Sequence, residues 1–320
     1  MRSNTILRIL NLEPEGYSSD AREILTGLGT VIDGPMSRPE LLKAVEKVDV
    51  LVVRLGHNID RALLERAGNL RAIVSATTGL DHIDTIAAQE RGSTVLSLQG
   101  ETEFLRTVTA TAEHTWALLL ALLRRVVPAA NSVREGEWDR DRFRGGELSG
   151  KRLGILGLGR IGIKVAMYGQ AFRMRVAAFD PYVTEFPSDV RRAASLERLL
   201  RDADVLSIHV PLNEETTRLL DRGRLALLPS GALVVNTSRG EIIDEAALAD
   251  ALEYRRLGGA ALDTIWHERD ARLREQSRLM ALARKADYLL ITPHIGGATK
   301  ESMARTELFM ARKLARFLQT

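Results

Sequence analysis

The chain has no cysteine among its 320 residues. Disulfides, thiolate nucleophiles and thiolate metal sites are therefore excluded. No two histidines share metal-site spacing either, so no metal is expected. Long apolar runs are missing as well. The longest, Trp116 to Leu123, has eight residues, far short of the roughly 20 needed to span a bilayer. Charge of one sign is scarcely in excess: Lys and Arg number 45 against 42 acids, a formal +3, which gives no footprint for nucleic acid. There is no repeat at solenoid period and no low-complexity tract. The first eleven residues lack a small-residue cleavage site after a longer apolar core and read as a strand, not as a signal peptide. These absences are compatible with a cytoplasmic protein, and neither a membrane nor nucleic acid is expected as a partner. The length, with 45% apolar residues, suggests two globular domains.

What is present centres on Lys151 to Tyr182, KRLGILGLGRIGIKVAMYGQAFRMRVAAFDPY. A short apolar run, Arg152 to Leu156, precedes Gly157, Gly159 and Gly162 in G-x-G-x-x-G spacing. A helical pattern follows from Ile161 to about Phe172, then a second apolar run, Val176 to Phe179, and Asp180. Each glycine has a physical reason to be there. Gly157 permits the tight turn, Gly159 lets the backbone approach a pyrophosphate, and Gly162 lets the helix pack on the strand. The helix N-terminus presents N–H groups and the positive end of its dipole to the phosphates. Asp180 lies 18 residues beyond Gly162, near the roughly 20-residue spacing of a ribose-binding carboxylate. A carboxylate there accepts the ribose hydroxyls and repels a 2′-phosphate, so the expected cofactor is NAD.

The chain before and after this stretch alternates short strands with helices, the pattern of parallel sheets covered by helices. Strands are expected at 5–12, 30–32, 48–53, 70–76 and 94–98. Later strands are expected at 152–156, 175–179, 204–209, 231–236, 258–262 and 288–292. Helices are expected at 17–28, from Ser37 to about Lys47, and over 60–67, 83–91, 244–254, 270–285 and 299–318. Gly29 is expected just past the end of the first helix. A long helix over 104–127, apolar around much of its surface and broken at Pro128, is expected to be buried, either between domains or in an oligomer interface. Residues 134–150 read as a charged surface loop.

In an open parallel sheet, ligands bind beyond the carboxyl ends of the strands. The residues there are Arg54, Thr77 to Gly79, His209 to Pro211, Asn236 to Gly240, Asp263 with Glu268, and Pro293 to Gly297. An Arg, a Glu and a His thus emerge on the edge that carries the glycine loop. Together they suit hydride transfer on a 2-oxo acid. An arginine binds the carboxylate and polarises the ketone. A histidine exchanges a proton with the alkoxide, and a carboxylate on its other nitrogen orients it.

Seven segments then carry a resemblance: TTGLDHID (77–84), ATAEHT (110–115), LGILGLGRIG (153–162), HVPLNEET (209–216), NTSRGEIIDEAAL (236–248), GGAALDTIWHE (258–268) and TPHIGGAT (292–299). They are similar, in order and over nearly the whole chain, to the D-isomer-specific 2-hydroxyacid dehydrogenases. The resemblance implies an α/β fold of two Rossmann-like or flavodoxin-like domains with parallel sheets. A discontinuous substrate domain (1–100, completed by 296–320) would hold an inserted NAD-binding domain (101–295). It implies Arg239 as the substrate-binding arginine, His294 as acid/base and Glu268 as its partner. Arg160 and Ile161 would offer amides to the pyrophosphate. Thr78, Thr237, Ser238 and Asp263 would surround the nicotinamide half, with His294, Gly296 and Gly297 beside it, and His209, Val210, Pro211 and Thr216 would complete the cofactor site. Thr77, Thr78 and Gly79 would help bind the substrate carboxylate. Arg54 sits where phosphoglycerate-type members place a substrate arginine.

The implied activity is NAD-dependent interconversion of a small D-2-hydroxy acid and its 2-oxo acid, in a homodimer formed through the coenzyme domain. The sequence ends at Thr320, so the resemblance implies no serine feedback through an appended domain. Two other readings share the fold: an NADH-responsive corepressor, and a dehydrogenase of phosphite or formate. The formate type carries Gln where this chain has Glu268. Local departures from the family pattern are Thr77 in place of a common glycine, Arg269 in place of a common proline, and a long basic stretch over 269–286.

Overall fold

The structure is a computed structural model and describes residues 6–319. The strand expected from Thr5 therefore begins outside the described residues. Two compact units emerge: one takes the chain to Thr107 and resumes at Ala298, and the other is Val108–Gly297.

The first unit runs β1 (Leu7–Asn11), α1 (Ser19–Leu28), β2 (Gly29–Asp33), α2 (Arg38–Ala44), β3 (Val50–Val53) and α3 (Arg61–Arg66). It continues with β4 (Ala72–Ser75), α4 (Thr85–Glu90), β5 (Thr94–Leu96) and α5 (Thr102–Arg106). Its sheet is parallel with order β2-β1-β3-β4-β5, the flavodoxin-like arrangement. β3 and β4 are buried at every residue, as expected of strands covered on both faces. Gly29 does not cap α1 in a left-handed turn. It opens β2 in extended conformation, where a Cβ would lie 2.2 Å from the Leu7 carbonyl oxygen. α5 belongs to this unit because the Phe104 ring stacks on Phe309 at 4.1 Å, and Lys313 Nζ reaches Glu101 Oε1 at 2.6 Å.

The second unit runs α6 (Ala110–Leu123), α7 (Val126–Arg134), β6 (Arg152–Leu156), α8 (Arg160–Ala171), β7 (Arg175–Phe179), β8 (Arg191–Arg192) and α9 (Leu196–Asp202). Then come β9 (Val205–Ile208), α10 (Arg222–Leu225), β10 (Leu233–Asn236) and α11 (Glu245–Glu253). β11 (Gly259–Leu262), α12 (Ala271–Gln276), α13 (Arg278–Ala283) and β12 (Leu289–Ile291) complete it, and α14 (Lys300–Gln319) returns the chain to the first unit. The sheet is parallel with order β12-β11-β10-β9-β6-β7-β8. The strand order reverses at β6, the switch point of a Rossmann sheet. Side chains alternate between two cores. Leu153, Ile155 and Val205 face α6 and α8, while Leu156, Leu206 and Ile208 join the core of α9 to α11.

Two expected helices are subdivided. The apolar 104–127 helix is α5, α6 and the start of α7, and the break falls at Arg125, whose φ is 55°. Pro128 lies in the first turn of α7, where its missing N–H costs nothing, so the chain turns before the proline. α6 itself packs on α8, β10 and β11, and Trp116 stacks on Phe172 at 4.8 Å. The expected 270–285 helix is α12 and α13, separated by Ser277, whose side chain accepts from Met280 N to cap α13. β8 is an addition to the expected strands; it is two exposed residues at the sheet edge. Among the described residues, no single helix is long and apolar enough to cross a membrane.

Candidate active site

The glycine turn joins β6 to α8. Gly157 has φ +90°, and a Cβ there would meet the His209 carbonyl at 2.8 Å. Gly162 is equally constrained, since its Cβ would lie 2.1 Å from Gly157 O. Gly159 differs: a Cβ there would meet no atom within 4 Å, and its φ is an ordinary −76°. Protein packing therefore does not require glycine at 159, whereas close approach of a ligand does. Gly159 is also the N-cap of α8 and has no side chain to satisfy the first turn, which leaves Arg160 and Ile161 amides for an anion. Asp180, at the end of β7, accepts from Leu158 N at 2.8 Å and from Tyr182 N at 2.9 Å, so the carboxylate is fixed beside the loop. These features fit a dinucleotide. The Arg160 guanidinium is largely buried, and burial lowers its pKa from the ordinary value.

The loop after β9 forms the far wall of Gly157. Burial pushes the His209 imidazole down to about 3, so it is neutral, with Nε2 paired to Ser207 Oγ at 2.7 Å. Beyond Val210 and Pro211, the Thr216 hydroxyl donates to Pro211 O at 2.6 Å and shapes the turn.

Three neighbouring strands, β10, β11 and β12, deliver Arg239, Glu268 and His294 at their carboxyl ends. Buried Asn236 builds the first turn: its Oδ1 accepts from Ser238 N at 2.9 Å and its Nδ2 donates to Arg239 O at 2.8 Å. Ser238 Oγ donates to Ile208 O at 2.7 Å, and Arg239 Nη1 to Ser238 O at 2.8 Å. Gly240 must follow, because a Cβ would lie 2.2 Å from the Ile265 carbonyl carbon. His294 sits at φ 54°, a left-handed conformation rare outside glycine. Its Nδ1 lies 2.6 Å from Glu268 Oε1, with both side chains about one-fifth exposed. The other ring nitrogen is thereby left to face a ligand.

Asp263 holds the His294 turn. Its carboxylate accepts from Ile295 N at 2.9 Å, Gly296 N at 2.7 Å and Thr292 Oγ1 at 2.6 Å, with His114 Nε2 at 3.2 Å. Burial raises the Asp263 carboxyl, but these donors together hold it below the usual carboxylate range. Both oxygens are thus committed inside the protein. Gly296 has to be glycine here, with a Cβ reaching 2.9 Å from Asp263 Oδ2, whereas Gly297 faces open space. α6 contributes more than its apolar pattern promised. His114 also meets Thr292 Oγ1 at 3.1 Å, and Thr115 Oγ1 meets Thr237 Oγ1 at 2.8 Å.

The remaining sequence candidates lie in the first unit. Thr77 Oγ1 donates to Gly79 O at 2.8 Å and pairs with Ser75 Oγ at 2.8 Å, so the threonine pins the Thr77 to Gly79 loop, with Thr78 half-buried at its centre. Arg54 is turned into its own unit. Nη2 donates to the carbonyls of Glu13 (2.7 Å) and Glu15 (3.0 Å), and Nη1 lies 3.4 Å from Glu307. Sequence reasoning places Asn236 at the strand edge without its turn-building role, and misses His114, Thr115 and Thr292 as parts of the site. The partners of His114 and Thr115 lie far along the chain, 149 residues for His114 and Asp263, and only the strand-edge rule could have flagged Thr292.

A switch-point glycine turn with a carboxylate-paired histidine on the same sheet edge defines a Rossmann-type, dinucleotide-dependent dehydrogenase unit. Comparison with known proteins makes this specific. Residues 116–296 match the NAD binding domain of the D-isomer specific 2-hydroxyacid dehydrogenases. The chain is 35% identical to a D-3-phosphoglycerate dehydrogenase of Archaeoglobus fulgidus, over 96% of this chain and 56% of that protein. It is 34% identical to a hydroxypyruvate reductase of Thermotoga maritima, over 87% of this chain and 88% of that one. A D-lactate dehydrogenase from Aquifex aeolicus, complexed with NAD and lactic acid, superposes with TM-score 0.83 at 26% identity, covering 98% of this chain and 95% of that one. The chain belongs to the D-isomer specific 2-hydroxyacid dehydrogenase family. It spans about half the length of the phosphoglycerate dehydrogenases it matches, at 56% and 58%.

Proposed function

We propose that this chain catalyses NAD-dependent interconversion of a small D-2-hydroxy acid and its 2-oxo acid. The observation that carries the reading is the 2.6 Å pairing of His294 Nδ1 with Glu268 Oε1 on a strained, Asp263-held turn. A static solvated histidine would not need that support, because a left-handed non-glycine residue costs about 1–3 kcal/mol. When bound, NAD supplies or accepts the hydride. Arg239 binds the substrate carboxylate and polarises the ketone with a permanent charge. His294 gives a proton to the alkoxide oxygen in reduction and takes it back in oxidation, while Glu268 holds the ring through Nδ1. Asp180 binds the adenosine ribose and disfavours a 2′-phosphate. Arg160, Ile161 and the loop of His209 to Thr216 line the cofactor, with Thr237, Ser238 and Asp263 shaping the nicotinamide end. In this reading the first unit is the substrate domain, and Thr77 to Gly79 bind the substrate carboxylate. Arg54 contributes by ordering residues 13–15 rather than by offering a spare charge. A cytoplasmic location goes with the reading, since the nicotinamide cofactor is a cytoplasmic metabolite.

The test is NADH and NADPH oxidation with glyoxylate, pyruvate, hydroxypyruvate, 3-phosphohydroxypyruvate and longer 2-oxo acids. Reduction of at least one with preference for NADH is expected; no oxidation with any of them would sink the proposal.

The proposal includes a homodimer formed through the second unit. Support comes from Trp138, 89% exposed, and from Val126, Val127 and Val133, exposed on the preceding α7. Sedimentation is expected to give twice the 35.4 kDa chain mass, and W138S with V127D to give one chain. A parent that sediments as a single chain would contradict this part.

A further inference from the structure

The stretch after Glu268 departs from the family pattern, with Arg269 where a proline is common and a basic run beyond it. A solvated helix face is the simple account of those arginines, and Arg272 and Arg278 fit it, being exposed. Arg274 does not. It is half-buried, and its Nη1 donates to Glu268 O at 2.6 Å. The local chain is arranged to bring this about. His267 turns the backbone with φ 53°, and Asp270 N donates to His267 O at 2.9 Å. The Asp270 carboxylate then caps α12 through Arg272 N (2.9 Å) and Leu273 N (3.1 Å). Arg274, on the next turn of that helix, reaches back six residues to the Glu268 carbonyl. Trp266, anchored through Nε1 to Ile243 O at 2.8 Å, fixes the loop from the other side.

We infer that Arg274 is a positioning residue for the catalytic pair: its bond to the Glu268 carbonyl sets where the Glu268 carboxylate meets His294. The inference rests on the proposed roles of Glu268 and His294. A loop carboxylate without a proline's rigidity has several backbone conformations to lose. A guanidinium bond to its own carbonyl removes that freedom while leaving the side chain for the imidazole. Displacement of a reacting group by about 1 Å costs roughly a hundred-fold, so a loosened Glu268 should be felt in turnover.

Two effects of losing Arg274 have opposite signs. A displaced Glu268 removes counter-charge from the imidazolium, which then gives up its proton at lower pH. Loss of a nearby positive charge alone would favour the imidazolium and act at higher pH. Asp263 and His114 hold the His294 turn, and His267, Arg269 and Asp270 flank Glu268 on its loop; all are unaltered in the comparison.

The experiment takes whichever 2-oxo acid of the panel is reduced fastest and measures the pH profile of kcat/KM for the parent, R274M, R274K, R272M, E268Q and H294Q. R274M is expected to lose roughly ten- to a hundred-fold in kcat, with NADH affinity by fluorescence unchanged. Its basic limb should move to lower pH, as in E268Q. R274K, which keeps a donor and the charge, should recover most of both. R272M should match the parent. In the cofactor-free protein, the histidine NMR resonance lost in H294Q should titrate at lower pH in R274M than in the parent. R274M with the parent's profile and rate, a limb moved to higher pH, or an equal effect from R272M would each overturn the assignment. If E268Q itself leaves the limb in place, the reading of the catalytic pair has failed instead.

Discussion

His209 shows how one side chain couples the glycine loop to pH. Its imidazole lies behind Gly157, largely out of solvent, and is pushed down to about 3 by burial, below the ordinary 6.5. The folded protein therefore binds no proton there between those values, while the unfolded chain does. The stability this group contributes is intact above pH 6.5 and falls by about 1.4 kcal/mol per unit as pH drops toward the folded value. Chemical denaturation of H209Q should show a shallower acid limb than the parent in that window, and parallel limbs would contradict the burial argument. The other residues divide by how local their signal is. Arg239, His294 and the glycines could be named from contiguous motifs after apolar runs. The contacts of Arg54 could not be read from its place at a strand end, because its partners are the Glu13 and Glu15 carbonyls, 41 and 39 residues back, and Glu307, 253 residues on. Thr77 stands out in the sequence as a departure from pattern. In the structure its hydroxyl does what a glycine cannot, pinning the Gly79 carbonyl.

α6 is legible in sequence as a buried helix and illegible as a functional one. Its apolar residues are explained by α8 and the sheet beneath it. Along its N-terminal half, however, Thr111, His114 and Thr115 fall at helical spacing and touch the ends of all three catalytic strands. The Thr111 methyl lies where a Gly296 Cβ would come within 3.4 Å. One helix face thus sets the spacing of the Thr237, Asp263 and Thr292 turns. H114A is expected to lower kcat roughly ten-fold, on the same displacement argument, while H114N, which keeps a donor, recovers part of it. Equal activity in the parent and H114A would remove this role. Helix ends are harder to read than helix existence. Arg124 and Arg125 end the apolar run, but arginine is a good helix former, so nothing local announces that Arg125 is left-handed and stops the helix there. Strand positions were read to within a few residues because both sheets are parallel and buried, which makes each strand a short continuous apolar run. β8 lacks that signal, having two exposed arginines.

At the scale of the molecule, two parallel sheets were expected from the strand and helix alternation, and they are found as flavodoxin-like and Rossmann arrangements. What alternation cannot supply is strand order, since any right-handed set of crossovers gives the same string of elements. The order matters for function because it places β10, β11 and β12 side by side. Residues 239, 268 and 294, dispersed in sequence, thereby converge on one edge. The proposed activity depends on that convergence being a hydride-transfer site, in which His294 moves the proton and Arg239 holds the acid. Single-turnover and steady-state NADH oxidation in H294Q and R239A, beside NADH binding by fluorescence, address it without intermediaries. Losses of roughly 10²- to 10⁴-fold in turnover with NADH affinity unchanged are predicted. Turnover near the parent's in either variant would contradict these roles.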